Sequence, residues 1–141
     1  MTHEDKELLL KDLCARLPYG VIIKHKDEHG RSIDVKLVGY NGDWFNYYID
    51  DLCFHLKIHE FKPYLRPMSS MTEEEKRHIS KMMCLRTYGE GVVYDITYPV
   101  YTPYYVMEDC LNYLCSIYVD YSGLIEKHLA LEAPEGMYDK K

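Results

Sequence analysis

Pro63 and Pro67 bracket the stretch FKPYLRPMSSMTEEE, Phe61 to Glu75, and constrain this chain more than any other segment. Each proline fixes φ near about −65°, removes a backbone donor and disfavours helix at the residue before it, so Lys62 and Arg66 are expected to be extended. Tyr64, Leu65 and Arg66 then occupy a stiff polyproline-like or edge-strand segment. Beyond it, Ser69, Ser70 and Thr72 offer hydroxyls to a helix start, and Thr72 with Glu75 makes the S/T-x-x-E capping box. Glu73, Glu74 and Glu75 add negative charge where the helix dipole is positive. An extended segment must therefore hand over to a helix at about Glu73.

The rest of the chain can be read outward from that corner. Thr2 to Asp5 resembles a second capping box, and Leu9, Leu13 and Leu17, with Leu10 and Cys14 beside them, form an apolar stripe at helical spacing. A first helix is expected from Glu4 to Arg16, stopped by Pro18. Tyr19 to His25 reads as a strand, KDEHGRS as a polar turn, and Ser32 to Tyr40 as a half-buried strand with period-2 alternation. Asn41-Gly42 marks a tight turn, and Trp44 to Ile49 returns as a third strand. Leu52 to Ile58 supplies a further short strand. A second helix is expected from Glu73 to Arg86, ended by Gly89 and Gly91. Val92 to Tyr101 is strand material limited by Pro99 and Pro103, and a third helix spans Met107 to Val119. LIEKHLALEAP follows as a short helical or extended segment.

At 141 residues the chain is long enough for one domain with a real core, and its hydrophobic share of 47% is that of an ordinary globular protein. The expected fold class is α+β: an antiparallel meander of three to four strands, with an N-terminal helix and two later helices packed on one face. Residues 1–133 form the domain and 134–141 a flexible C-terminal tail. A net charge of −6 without any basic stripe argues against duplex nucleic acid and anionic membranes. Five scattered cysteines, with no CxxC pair, fit neither a disulfide framework nor a zinc ribbon and point to a reducing cytoplasm. The polar, acidic start MTHEDKE is not that of a signal peptide, and no apolar run is long enough to span a bilayer.

Candidate chemistry is sparse. His25 and His29, or His55 and His59, stand four residues apart and could supply two metal ligands each, although HKDEHG also reads as a solvated turn. A cysteine nucleophile would need a histidine brought to it by the fold. Cys14, Cys84, Cys110 and Cys115, on expected helices beside apolar residues, read as core thiols. Tyrosine is the compositional oddity at 15 residues, nine of them between Tyr88 and Tyr121. Exposed tyrosines suit protein recognition, whereas alternating ones also line half-buried sheets. Tyr64 and Arg66 share a face by period 2 and could grip a partner, or Arg66 could pair with a nearby glutamate and lock the corner.

The phrases LLLKDLCARLPYGV (Leu8 to Val21), FKPYLRPMSSMTEEE and DYSGLIEKHLALEAPEGMY (Asp120 to Tyr138) cover about a third of the chain. In them the sequence resembles a family of small proteins abundant in gut Bacteroidetes, often in prophage or mobile-element neighbourhoods. That resemblance brings with it no established activity, cofactor or catalytic residue. On the tyrosine-rich composition and the tendency of small domains to bind rather than catalyse, the expectation is a non-catalytic protein-interaction module with an unknown protein partner and no cofactor. Its contact candidates are Tyr64, Arg66, Tyr101, Tyr104 and Tyr105. The alternative is a metal-dependent protein or enzyme using His55 and His59 with nearby carboxylates.

Overall fold

The computed structural model describes residues 1–87 and 104–138, with side chains over 1–82 and 108–138. Within them the α+β class holds. The helices are α1 (His3–Arg16), α2 (Glu73–Thr87) and α3 (Tyr104–Ser116). The strands are β1 (Ile22–Lys26), β2 (Ser32–Lys36), β3 (Gly39–Tyr40), β4 (Phe45–Ile49), β5 (Leu52–Leu56), β6 (Phe61–Leu65) and β7 (Leu131–Glu132). They form a four-stranded sheet in the order β2-β1-β6-β7 and a three-stranded sheet in the order β3-β4-β5.

Helix α1 starts on the expected capping box, Thr2 Oγ1 accepting the Asp5 N–H at 3.0 Å while Asp5 accepts from the Thr2 N–H. Pro18 does not stop the chain abruptly; it sits in the first turn of a short 3-10 segment, Leu17–Tyr19, that Gly20 ends with φ 77°. The inward face carries Leu9 and Leu13, and also Asp12 and Arg16. Cys14, expected in the core, is exposed instead, because about 100° per residue turns it away from the face that 9, 13 and 16 share. Arg16 is fully buried, donating from Nε to Asp12 Oδ2 at 2.7 Å and from Nη2 to the Val119 carbonyl at 2.7 Å. Its guanidinium lies 5.1 Å from the centre of the Tyr121 ring. Burial works against the Arg16 charge, but the hydrogen bond and charge of Asp12 outweigh it and hold its pKa above the ordinary value.

The alternating stretch from Ser32 to Tyr40 is one extended run that changes sheets. The Leu37 N–H still donates to Val21 beside β1, and the next N–H, that of Val38, donates to Asn46 on β4. The meander then continues as expected: Asn41 Oδ1 accepts the Asp43 and Trp44 N–H groups, Gly42 takes φ 104°, and β4 pairs with β5 through a two-residue turn. The main core lies between α1 and the two sheets. It holds Leu9, Leu13, Ile23, Phe45, Leu65 and Leu124 among others, with Phe45 and Phe61 edge to face at 5.5 Å.

Strand β6 corrects an expectation: it lies between β1 and β7, not at an edge. The placement tolerates Pro63 for a specific reason. Leu65, two residues on, turns its carbonyl to Ala133 just past β7, so Pro63 directs its missing donor to that same side. The parallel pairing with β7 reaches only to Tyr64, so no rung is lost there. On the other side the β1–β6 register runs from His25↔Phe61 to Ile23↔Pro63. Where the next rung would join Ile22 to Tyr64, the Tyr138 hydroxyl stands in, accepting the Ile22 N–H at 2.9 Å and donating to the Tyr64 carbonyl at 2.7 Å.

Tyr138 also stacks on Tyr118, with centroids 3.8 Å apart and planes 9° from parallel. The stretch from Pro134 to Tyr138, expected to be loose, is thus tied to the sheet. LIEKHLALEAP begins as turns, with Asp120 accepting the Leu124 and Ile125 N–H groups, and ends as β7.

Helices α2 and α3 were expected on the sheet face. Among the described side chains they pack instead around a second cluster formed by Met71, Ile79, Cys110, Leu114 and Val119. Helix α3 begins at Tyr104, three residues earlier than its acidic first turn suggested. It ends in a Schellman arrangement, with the Val119 N–H on Leu114 O and the Tyr118 N–H on Cys115 O, and Tyr118 holds the left-handed position at φ 63° that glycine usually fills. Gly89, Gly91 and the expected strand from Val92 to Tyr101 lie outside the described residues. No helix among the described residues is long and apolar enough to cross a membrane.

Tyr138→Phe keeps the ring stack and deletes the inserted rung. It is expected to lower stability by about 1–2 kcal/mol in urea unfolding, since a buried N–H and carbonyl lose their shared partner. A variant as stable as the parent would show that solvent replaces the hydroxyl.

Candidate functional site

The corner at Arg66 resolves one of the two sequence candidates. Its guanidinium pairs bidentately with Glu75, Nη2 to Oε1 at 2.7 Å and Nη1 to Oε2 at 2.9 Å. Nη2 also donates to the Ser70 carbonyl, and Nη1 to the Ile117 carbonyl at 3.1 Å. Glu75 meanwhile completes the capping box, accepting the Thr72 N–H at 2.8 Å while Thr72 Oγ1 accepts the Glu75 N–H. One ion pair therefore joins the positive start of α2 to the exposed carbonyls ending α3. The hydrogen bonds from Arg66, reinforced by the Thr72 N–H, hold the Glu75 carboxyl at about 2 against an ordinary 4.5.

A cleft of about 710 Å³ opens beside this pair, lined in part by Arg66, Glu75, Tyr118, Glu132 and Tyr138. Its strongest polar groups are already spent on the protein: the Tyr118 hydroxyl on Tyr19 O at 2.6 Å, that of Tyr138 on the inserted rung, and Arg66 on Glu75. Tyr64 is likewise committed, its hydroxyl donating to Asp34 Oδ1 at 2.9 Å and its ring buried. Tyr64 and Arg66 thus serve separate internal partners and do not form a joint grip. Tyr101 lies outside the described residues. Tyr104 and Tyr105 occupy the first turn of α3, where only the backbone is described.

Neither histidine pair at four-residue spacing forms a ligand set among the described residues. His25 is buried in the sheet, with Nδ1 2.9 Å from the Lys26 carbonyl and its ring 5.0 Å from that of Tyr47; His29 stands out on the exposed turn organised by Asp27. His55 projects from β5, its Nε2 3.9 Å from Cys53 Sγ and its ring edge-on to Trp44. His59, in the turn after β5, lines a shallow hollow of about 630 Å³ with Lys24, His25, Lys26 and Lys62. Among the described residues no group of three or more His, Cys, Asp or Glu side chains could hold a metal ion. Cys110 and Cys115 are buried as expected, and burial pushes the Cys115 thiol up, away from nucleophilic use. Cys53 and His55 are both exposed on β5, and among the described residues neither lines the clefts above.

The exposed apolar surface is elsewhere, on the β4–β5 hairpin. Phe45 and Leu56 seal its base against the core, and Tyr47 stacks on Phe54 at 5.2 Å with planes 11° apart. Beyond them the same face stays uncovered: Phe54 is 37% exposed, Ile49 43% and Leu52 65%. On the opposite face stand Trp44, with Lys57 Nζ 4.5 Å above its ring, and Tyr48. Strand β5 is the edge of its sheet among the described residues, and LCFHL contains no charge and no proline to guard it. Sequence reasoning identified this hairpin but could not see that its apolar face runs past the core. The signal was the apolar residue at every second position on both sides of Asp50-Asp51, Phe45, Tyr47 and Ile49 before it and Leu52, Phe54 and Leu56 after it.

Replacing Glu75 tests the corner. A carboxyl whose pKa is depressed on folding contributes stability that is full above its unfolded value near 4.5 and is lost as pH falls toward about 2. Glu75→Gln is expected to cost about 1–2 kcal/mol at neutral pH, less than full linkage because the pair is partly open to solvent. In thermal unfolding the gap to the parent should close as pH drops through that window; a gap independent of pH would remove the ion pair from the account.

The comparisons with known proteins leave this geometry to stand by itself: no protein-family model matches the chain, and no curated protein or solved structure matches it either.

Proposed function

We propose that this chain is a non-catalytic, cytoplasmic protein-interaction module that binds by accepting an extended strand on the edge of β5. The observation that carries the reading is the uncharged β5 edge, unpaired among the described residues and flanked by the exposed Ile49, Leu52 and Phe54. Strand addition supplies main-chain hydrogen bonds for affinity, and the uncovered apolar face supplies side-chain contacts on alternate residues. In the cleft beside Arg66 the groups best suited to chemistry are consumed by internal bonds, which supports binding over chemistry there. The resemblance in three stretches of sequence extends the reading to a module encoded on a prophage or another mobile element.

The two-residue turn makes Ile49↔Leu52 and Tyr47↔Phe54 the hydrogen-bonded rungs, so the amides of Cys53 and His55 point away from β4. A selection from random peptides, mapped by amide chemical shifts, is expected to yield extended peptides with alternating apolar residues that perturb Cys53 and His55. Cys53→Pro deletes an outward donor without touching the β4 ladder and is expected to abolish that binding. Peptides that bind Cys53→Pro equally well, or that perturb only other surfaces, would overturn the proposal.

A further inference from the structure

We infer that the strand β5 accepts is the β5 of a second copy of this chain, giving a two-fold dimer centred on Phe54; this rests on the strand-addition reading above. Antiparallel pairing of two identical edges is the symmetric solution open to an exposed strand, each copy using the same patch. The register follows from which amides point outward. Cys53 and His55 carry the outward donors and acceptors, unbonded among the described residues, so Cys53 of one copy bonds His55 of the other, and Phe54 faces itself as a non-hydrogen-bonded pair.

Three features of the chain agree with that register. First, Leu52 falls opposite Leu56 of the partner copy, so the 65% exposed side chain gains an apolar neighbour. Second, the Tyr47–Phe54 stack continues across the axis into Phe54 and Tyr47 of the other copy, turning a two-ring stack into a row of four. Third, Asp51 of each copy falls opposite Lys57 of the other, so both ends of the paired strand carry opposite charges. Residues 52–56 themselves carry none, so no like charges meet along the pairing. A five-residue edge is a small contact, and the association it supports is weak and concentration-dependent.

Sedimentation equilibrium over a wide concentration range is expected to show reversible dimerisation. Asp51→Lys and Lys57→Asp should each weaken the dimer roughly three- to tenfold, since each breaks two symmetry-related pairs, and the double reversal should restore it. In a background of Cys14→Ser and Cys53→Ser, Phe54→Cys should give a covalent dimer on mild oxidation, because facing Cα atoms in a non-hydrogen-bonded pair lie about 4.5 Å apart, within the span of a disulfide. Asp43→Cys, placed in the β3–β4 turn of the same background, should not. A monomer at every concentration, or a dimer that Asp43→Cys links as readily as Phe54→Cys, would overturn the inference. If the parent is monomeric while selected peptides still perturb Cys53 and His55, the dimer fails and strand addition stands. Amides of Cys53 and His55 that resist hydrogen exchange in a monomer would show the edge already covered within one chain, and both would fail.

Discussion

The Arg66–Glu75 ion pair is the interaction on which the arrangement of helices and sheet depends. Arg66 leaves the end of β6, and Glu75 sits in the first turn of α2, so the pair sets the angle at which the chain turns from sheet to helix. The same guanidinium reaches the last turn of α3 through Ile117 O. A lysine could supply the charge but not the planar fork that meets two carboxylate oxygens and two carbonyls together. Pro63 and Pro67 add stiffness on either side, so the arginine is presented from backbone with little freedom to retreat.

The carbonyls that end α3 show how thoroughly that junction is closed. Helix termini leave carbonyls without partners inside the helix, and here three in succession beyond α3 find them elsewhere. Ile117 O accepts from the Arg66 side chain, Tyr118 O from the Arg66 backbone and Val119 O from buried Arg16. Two arginines from distant parts of the sequence thus converge on one turn, and Tyr118 accepts a left-handed backbone there while its ring stacks on Tyr138. The stretches from Leu8 to Val21, Phe61 to Glu75 and Asp120 to Tyr138 supply these contacts.

Legibility followed the range of each interaction. Both capping boxes, the Asn41-Gly42 turn and the alternation of Ser32 to Tyr40 are local patterns, and the sequence displayed them directly. The sheet change between Leu37 and Val38 left no mark because the side-chain period does not falter there. Asp12 and Arg16 looked like ordinary polar positions on α1, since only the arrival of Val119 makes burying them tolerable. Pro63 suggested an edge, and the reason it is not one lies in where β7 begins, 68 positions later. Tyrosine count pointed toward a recognition surface; of the nine tyrosines from Tyr88 to Tyr121 only Tyr113, Tyr118 and Tyr121 have described side chains, while elsewhere Tyr64 and Tyr138 serve internal partners and Tyr48 is exposed beside the uncovered Ile49, Leu52 and Phe54.

The hydroxyl that stands in for a backbone rung between β1 and β6 also bears on the order of folding. The two groups it joins, at Ile22 and Tyr64, wait on a residue 116 positions from the first and 74 from the second. Closing loops of that length precedes any energetic return, and chains rich in such distant contacts fold slowly compared with helical bundles of equal stability. The β1–β2 hairpin and the β4–β5 hairpin can form early from neighbouring residues. The Ile22–Tyr64 end of the seam between β1 and β6, which waits on Tyr138, is expected to close after both hairpins.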